Sequence, residues 1–122
     1  MKKIEGAAPA IGPYSAGVAA GELLFVSGQL PVDAEGKFPL GIKAQAAQCI
    51  ENLKVVLENG GSDLQHVVKT TVFLRSIHDF GAVNEVYAQY FDGAVLPARS
   101  CVQVAALPKD APMEMEAIAV VK

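Results

Sequence analysis

The sequence lacks tryptophan and has only two cysteines, Cys49 and Cys101, among its 122 residues. The two cysteines lie in unrelated contexts, so the sequence does not predict a disulfide framework, and we expect a reduced, cytoplasmic protein. Its two histidines, His66 and His78, stand apart from each other. No group of residues has the spacing of metal ligands, so we expect no metal site.

Clusters of positive charge are also absent. The net charge is −3, and the lysines form neither a basic stripe nor a patch interleaved with aromatic residues, so we expect no nucleic-acid partner. No apolar run approaches the length of a transmembrane helix, so we expect no membrane association. Glu5, Pro9, Pro13 and Tyr14 interrupt the segment after the first two lysines, which argues against a signal peptide.

Apolar residues, by contrast, are abundant. They make up 52% of the chain, whereas charged residues make up 19%. This composition predicts one folded domain over residues 1–122 with a substantial core. The low charge content also favours an oligomer that hides apolar surface. A compact monomer is the alternative, because protein surfaces are partly apolar in any case.

Hydrophobic patterning predicts the element order β-β-α-β-α-β-β. A hairpin is predicted for "VAAGELLFVSGQLP", and a helix from Ile42 to Asn59, which Gly60 and Gly61 end. A strand is predicted for "HVVKTTVFL", and a second helix for "SIHDFGAVNEVYAQYF", with Asp79 as its N-cap. The last two strands are "ARSCVQVAAL" and "MEMEAIAVV", joined by "PKDAP".

This order predicts an α+β fold with one layer of helices on one face of the sheet. No internal repeat, low-complexity tract or linker interrupts it. The other face of the sheet has no evident cover in the chain, so we expect it to be either solvated or buried by other subunits.

Charged residues in the last two strands are the main functional signal. Arg99, Cys101 and Gln103 alternate on one face of their strand, and Glu114 and Glu116 share a face of the final strand. One interpretation is an ordinary solvated face with cross-strand ion pairs. The other is an arginine fork that binds a carboxylate, together with a carboxylate for acid–base chemistry.

The separation of the two charges bears on this choice. If the last two strands pair through "PKDAP", Arg99 and Glu114 lie on the order of 20 Å apart along the strands. One chain then cannot easily bring both side chains to a small ligand, whereas two neighbouring chains can. If the two residues cooperate, we therefore expect the site at a subunit interface.

Other candidates stand beside plain structural interpretations. Tyr14, in the loop "AIGPYSAG", either packs as an aromatic residue or presents its hydroxyl to a ligand. Gly28 interrupts the strand "FVSGQLP", which often marks the close approach of a ligand or backbone, and Ser27 would line the same pocket. Asn84, in the second helix, is either solvated or a ligand contact. Cys101 has no histidine partner nearby in sequence, so it is a weak candidate for a nucleophile.

These motifs closely resemble those of the Rid family, the reactive-intermediate (enamine/imine) deaminases, and in particular its RidA subgroup, formerly labelled translation initiation inhibitors. The resemblance covers nearly the whole chain, through the blocks "IGPYSAG", "FVSGQLP", "KTTVFL", "DFGAVNEVYAQYF" and "PARSCVQVAALPKDAPMEMEAIAV". The last block is the most specific, because it combines Pro-x-Arg, a strand, a Leu-Pro loop and a hydrophobic-Glu-hydrophobic step.

The resemblance implies a chorismate-mutase-like fold and a homotrimer with active sites in the clefts between subunits. It implies a 2-iminobutanoate/2-iminopropanoate deaminase, which hydrolyses 2-aminoacrylate and 2-iminobutanoate to pyruvate and 2-oxobutanoate with release of ammonia. This reaction uses no cofactor of its own. The reactive intermediates would come from dehydratases that depend on pyridoxal phosphate (PLP).

The resemblance also assigns roles to single residues. Arg99 matches the arginine that clamps the substrate carboxylate, and Glu114, rather than Glu116, matches the catalytic glutamate. Tyr14 matches a tyrosine that lines the catalytic site. The remaining positions that line the family's pocket are Ser27, Gly28, Asn84 and Cys101.

Two further functions compete with this assignment. The first is a non-catalytic trimeric module that binds 2-oxo acids in the same cleft for regulation. Glu114 favours the enzyme, because a module that only binds gains nothing from a carboxylate beside an anion. The second is a translation inhibitor that cleaves RNA, against which the acidic charge balance argues.

Overall fold

A computed structural model describes all residues 1–122, and its framework is one six-stranded sheet with two helices. The strands are β1 (Lys2–Ile4), β2 (Gly17–Ala20), β3 (Leu23–Gln29), β4 (Val67–Leu74), β5 (Ala98–Gln103) and β6 (Met113–Val120). The helices are α1 (Ile42–Asn59) and α2 (Phe80–Tyr90). Short 3-10 turns occupy Leu64–His66, Ile77–Asp79 and Pro108–Asp110. None of the helices combines the length and the apolar character needed to cross a membrane.

The predicted α+β architecture is confirmed, with one addition and one correction. The strand order is β1-β2-β3-β6-β4-β5, in which only β4 and β5 are parallel. The prediction missed β1, a three-residue strand that carries two exposed lysines and has no apolar alternation. The assumption that the last two strands pair through "PKDAP" is wrong. The crossover through α2 sets β5 parallel beside β4, and β6 inserts between β3 and β4.

Helix α1 has the predicted bounds and covers the middle of the sheet. Its buried residues follow the helical period and are Ala46, Cys49, Ile50, Leu53, Val56 and Leu57. Gly61, with φ of +80°, supplies the left-handed residue that ends the helix. Gly60 has φ of −90° and is needed for another reason, because a Cβ there would lie 2.6 Å from Leu24 Cδ2.

Helix α2 has Asp79 at its N-cap position, as predicted, but the residue does not cap the helix. The 3-10 turn Ile77–Asp79 leads directly into it, so Asp79 already has helical backbone angles and its side chain makes no capping hydrogen bond. Ser76 caps the preceding turn, because its hydroxyl accepts a hydrogen bond from the His78 amide at 3.3 Å. The buried residues of α2 are Val83, Val86 and Tyr87.

The face of the sheet opposite the helices is uncovered, as the sequence predicts. Alternation along β6 turns Met113 and Met115 into the helix-covered core and leaves Glu114 on the other side. Apolar residues on this open face remain exposed, with 42% of Phe25 and 43% of Val102 accessible. No element of the chain packs over them, so the open face is available to a partner.

The start of the loop after β3 is attached to α1 by the side chain of Asn52. The Asn52 amide nitrogen donates hydrogen bonds to the carbonyl oxygens of Leu30 and Val32, both at 2.9 Å. Its amide oxygen accepts a hydrogen bond from Gln48 Nε2 at 2.9 Å. Asn52 therefore satisfies two backbone carbonyls that have left the sheet.

We expect Asn52→Ala to lower the free energy of unfolding by about 1–2 kcal/mol, because two backbone acceptors lose their donor. Gln48→Ala is the matched control. It removes only the outer bond of the network and should cost less than about 1 kcal/mol. Urea unfolding followed by circular dichroism measures both values, and equal losses in the two variants would contradict this role of Asn52.

Candidate active site

Arg99 lies on the helix-covered side of the sheet. It stands directly opposite Thr70 in the parallel β4–β5 ladder, and Thr70 is fully buried. Arg99 Nη1 donates a hydrogen bond to Asn84 Oδ1 at 2.7 Å. The Arg99 Cζ atom lies 4.8 Å from the centroid of the Tyr87 ring and 5.5 Å from that of Phe80. The guanidinium is thus held by one stripe of α2.

No carboxylate of the chain forms an ion pair with Arg99. Its only polar side-chain partner is the neutral amide of Asn84, which occupies one of the five guanidinium N–H donors. The aromatic contacts stabilise the positive charge without neutralising it. A partly buried guanidinium with free donors suits a bound carboxylate, which it can hold through two parallel hydrogen bonds.

Cys101 lies on the same face of β5 as Arg99 and packs against the core. Burial raises the pKa of the Cys101 thiol, and the nearby positive charge of Arg99 only partly opposes this effect. A protonated thiol is a poor nucleophile. Cys101 is therefore suited to shape a pocket beside Arg99. We call Arg99, Asn84 and Cys101 the arginine cluster.

Glu114 packs against Gly28 on the other side of the sheet. A bulge in β3 between Val26 and Gln29 brings Gly28 next to the Glu114 side chain. A Cβ atom at position 28 would lie 2.5 Å from Glu114 Cδ and would overlap Oε1. The close approach expected at Gly28 is thus made by a carboxylate of the same chain.

The Glu114 carboxyl group is shifted toward its protonated form. Partial burial is the main reason that the pKa of Glu114 is raised, and the negative charge of Glu116 adds to the effect. A raised carboxyl pKa brings proton uptake and release closer to neutral pH, where general acid–base catalysis is most effective.

The loop that carries Tyr14 is fixed beside Gly28. The Ser27 hydroxyl donates a hydrogen bond to the Ser15 carbonyl oxygen at 2.7 Å, and the Ser27 amide donates to the Ala16 carbonyl oxygen at 2.9 Å. Tyr14 is half exposed, and with Gly28 it lines a cavity of about 400 Å³. We call Glu114, Gly28, Ser27 and Tyr14 the glutamate cluster.

Arg99 and Glu114 lie on opposite faces of one sheet. Arg99 pairs with Thr70 and Glu114 pairs with Phe73, and cross-strand partners share a face. Thr70 and Phe73 are three residues apart on β4, so their side chains point in opposite directions. Two strand spacings and three residue rises place the Arg99 and Glu114 Cα atoms roughly 14 Å apart. One chain therefore forms no pocket that contains both residues.

Sequence reasoning missed the aromatic support of Arg99. Phe80, Asn84 and Tyr87 have the spacing i, i+4 and i+7, which predicts one stripe of the helix. The missing information was that this stripe faces the edge strand β5. No three His, Cys, Asp or Glu side chains are grouped so that they could hold a metal ion.

Comparisons with known proteins show which family the chain resembles over its length. A family model described as endoribonuclease L-PSP matches residues 5–121. The chain is 47% identical over 119 residues to the 2-iminobutanoate/2-iminopropanoate deaminase of Escherichia coli strain K12. The aligned region covers 95% of this chain and 93% of that protein. It is 48% identical over 125 residues to a RutC family protein of Synechocystis sp., and this alignment covers 98% of this chain and 96% of that protein. The crystal structure of E. coli TdcF with bound serine superposes with a TM-score of 0.95 at 46% identity, over 100% of both chains.

The raised pKa of Glu114 leads to a prediction about stability. The folded state holds the Glu114 proton more tightly than the unfolded state, so stability falls as pH rises from the ordinary glutamate pKa to the raised one. Above this window, Glu114→Gln should be more stable than the wild type, by no more than about 1 kcal/mol because solvent screens the site.

Below the ordinary glutamate pKa the difference should vanish, since the wild-type side chain is then neutral in both states. The test compares the denaturant midpoints of the wild type and Glu114→Gln across the acidic and neutral pH range. Glu58→Gln, at an exposed position of α1, is the control for loss of one surface carboxylate. A Glu114→Gln variant less stable than the wild type at neutral pH would contradict the prediction.

Proposed function

Because the chain belongs to the endoribonuclease L-PSP family, which includes the Rid deaminases, we propose that it hydrolyses reactive 2-imino acids to 2-oxo acids and ammonia. The substrates are 2-iminobutanoate and 2-iminopropanoate, the imine tautomer of 2-aminoacrylate. Water adds to the C=N carbon, the carbon–nitrogen bond breaks, and 2-oxobutanoate or pyruvate leaves with ammonia. The observation that carries the proposal is the Arg99 guanidinium, which has free donors and no carboxylate partner.

Arg99 holds the substrate by its carboxylate. Two charge-assisted hydrogen bonds fix the position and the orientation of a small anion at once. This placement presents the imine carbon to water in a defined direction. Part of the entropy cost of reaching the transition state is thus met when the substrate binds. The Cys101 thiol fills the space beside the bound carboxylate.

Glu114 moves the protons of the reaction. Its carboxylate takes a proton from the attacking water, and the carboxylic acid then gives a proton to the departing nitrogen. The raised pKa of Glu114 suits both steps near neutral pH. Tyr14 donates a hydrogen bond close to the substrate nitrogen, and Ser27 keeps the Tyr14 loop against β3.

The complete site forms between two subunits of a homotrimer. The arginine cluster comes from one subunit and the glutamate cluster from its neighbour, because Arg99 and Glu114 lie on opposite faces of each sheet. The exposed apolar side chains of the open face, such as Phe25 and Val102, supply surface for this association. PLP-dependent dehydratases, which release such enamines and imines, are the enzymes that supply the substrate.

We expect Arg99→Ala to lower kcat/KM for 2-iminobutanoate by about 30- to several-thousand-fold while the oligomer remains folded. Arg99→Lys should restore little activity, because an ammonium group lacks the planar fork of a guanidinium. The imine is generated by a threonine dehydratase, and the measurement follows formation of 2-oxobutanoate.

Lys43→Ala is the control for loss of one positive charge, since Lys43 pairs with Glu85 on the exposed surface. This variant should keep wild-type kinetics. Wild-type rates in Arg99→Ala would remove the carboxylate clamp from the proposal. Binding of 2-oxobutanoate without any hydrolysis by the wild type would favour the non-catalytic module.

A mixing experiment tests the shared site. Arg99→Ala and Glu114→Gln should each be nearly inactive alone. Unfolding the two variants together in equal amounts and refolding them should restore activity at roughly a quarter of the sites, where an intact Arg99 meets an intact Glu114 of the neighbour. The same treatment of each variant by itself is the control. No recovery in a mixture that forms hetero-oligomers would contradict a site shared between subunits.

A further inference from the structure

Tyr87 and Thr70 form a buried polar contact that the proposed reaction does not use directly. Their hydroxyl oxygens lie 2.8 Å apart, Thr70 is fully buried, and 9% of Tyr87 is accessible. Among the hydrogen bonds between two side chains, only this one joins two buried residues. A buried pair of hydroxyls adds little net stability but fixes the relative position of the elements that carry it.

The contact lies directly beneath Arg99. Thr70 is the cross-strand partner of Arg99, and the ring of Tyr87 lies under the guanidinium with its centroid 4.8 Å from Arg99 Cζ. Phe91 stacks on Tyr87, with ring centroids 4.4 Å apart and an angle of 28° between the planes. The Tyr87 ring is thus held at its hydroxyl by β4 and on one ring face by Phe91.

The other contacts of Arg99 do not fix its plane. Asn84 engages a single N–H donor, and one hydrogen bond does not define the plane of the guanidinium. Phe80 is 39% accessible and lies farther away, at 5.5 Å. Tyr87 is therefore the only well-anchored surface against which the guanidinium can lie flat.

We propose that Tyr87 is a positioning residue. Its hydrogen bond to Thr70 holds the ring in place, and the ring in turn orients Arg99 toward the substrate carboxylate. The inference rests on the proposed function, whose carboxylate clamp it deepens. An arginine side chain loses considerable rotamer freedom when it is fixed, and a rigid aromatic platform imposes part of that loss before the ligand arrives.

The test compares variants that remove one hydroxyl each. Tyr87→Phe keeps the ring and removes its anchor, and Thr70→Val removes the partner hydroxyl at nearly constant volume. We expect each to raise KM for the imine and the inhibition constant of pyruvate in parallel, by about three- to tenfold, with kcat changed less than about twofold, because the clamp holds the ground state and the transition state alike. The double variant should show no further increase, since both changes break the same bond.

Two variants serve as controls. Thr70→Ser keeps a hydroxyl and should retain the wild-type KM. Tyr90→Phe lies on the same helix and loses an exposed hydrogen bond from its hydroxyl to Glu51, so it should leave KM unchanged. A loss of thermal stability without a change in KM or in pyruvate inhibition, in both Tyr87→Phe and Thr70→Val, would overturn the proposal.

A spectroscopic measurement separates this inference from the proposed function. In the wild type the Tyr87 ring current should shift the Arg99 Nε–H resonance, and both Tyr87→Phe and Thr70→Val should move that signal. If the wild type hydrolyses no imine, the proposed function fails, and the Arg99 resonance still shows whether the hydroxyl pair orients the guanidinium. An unchanged Arg99 signal in both variants would overturn the inference, whatever the activity.

Discussion

The alternation of β4 is the constraint on which the proposed site depends. Thr70 and Phe73 point to opposite faces of the sheet, and each has one of the two charged residues as its cross-strand partner. The same strand therefore directs Arg99 toward the helices and Glu114 toward the open face. A single chain cannot reverse this arrangement, because a shift of one residue in register would bring every core residue of the strand to the surface.

In the isolated chain, neither Arg99 nor Glu114 has a partner of opposite charge. Arg99 has no counter-ion, and Glu114 lies in a partly buried position beside a second carboxylate. Both features cost stability in the folded chain. Both features suit the proposed carboxylate clamp and the proposed proton transfer, whereas a purely structural role would favour paired charges.

Local patterns predicted the helices well, whereas non-local pairing limited the prediction of the site. The bounds Ile42–Asn59 follow from helical periodicity and two terminal glycines, which are local signals. Asp79 stands at the predicted N-cap position but makes no capping hydrogen bond, because a 3-10 turn leads directly into the helix. Gly28 was recognised as a close approach, but its neighbour Glu114 depends on which strands pair. Nothing in the sequence shows that the final strand enters the middle of the sheet.

The central place of β6 has a consequence for how the chain acquires its structure. Within the sheet, hydrogen bonds connect β1-β2-β3 to β4-β5 only through β6. This strand is the last of the six to be synthesised. Until it emerges, β3 and β4 both offer unpaired apolar edges to other nascent chains. The residue proposed for proton transfer thus belongs to the strand that completes the sheet.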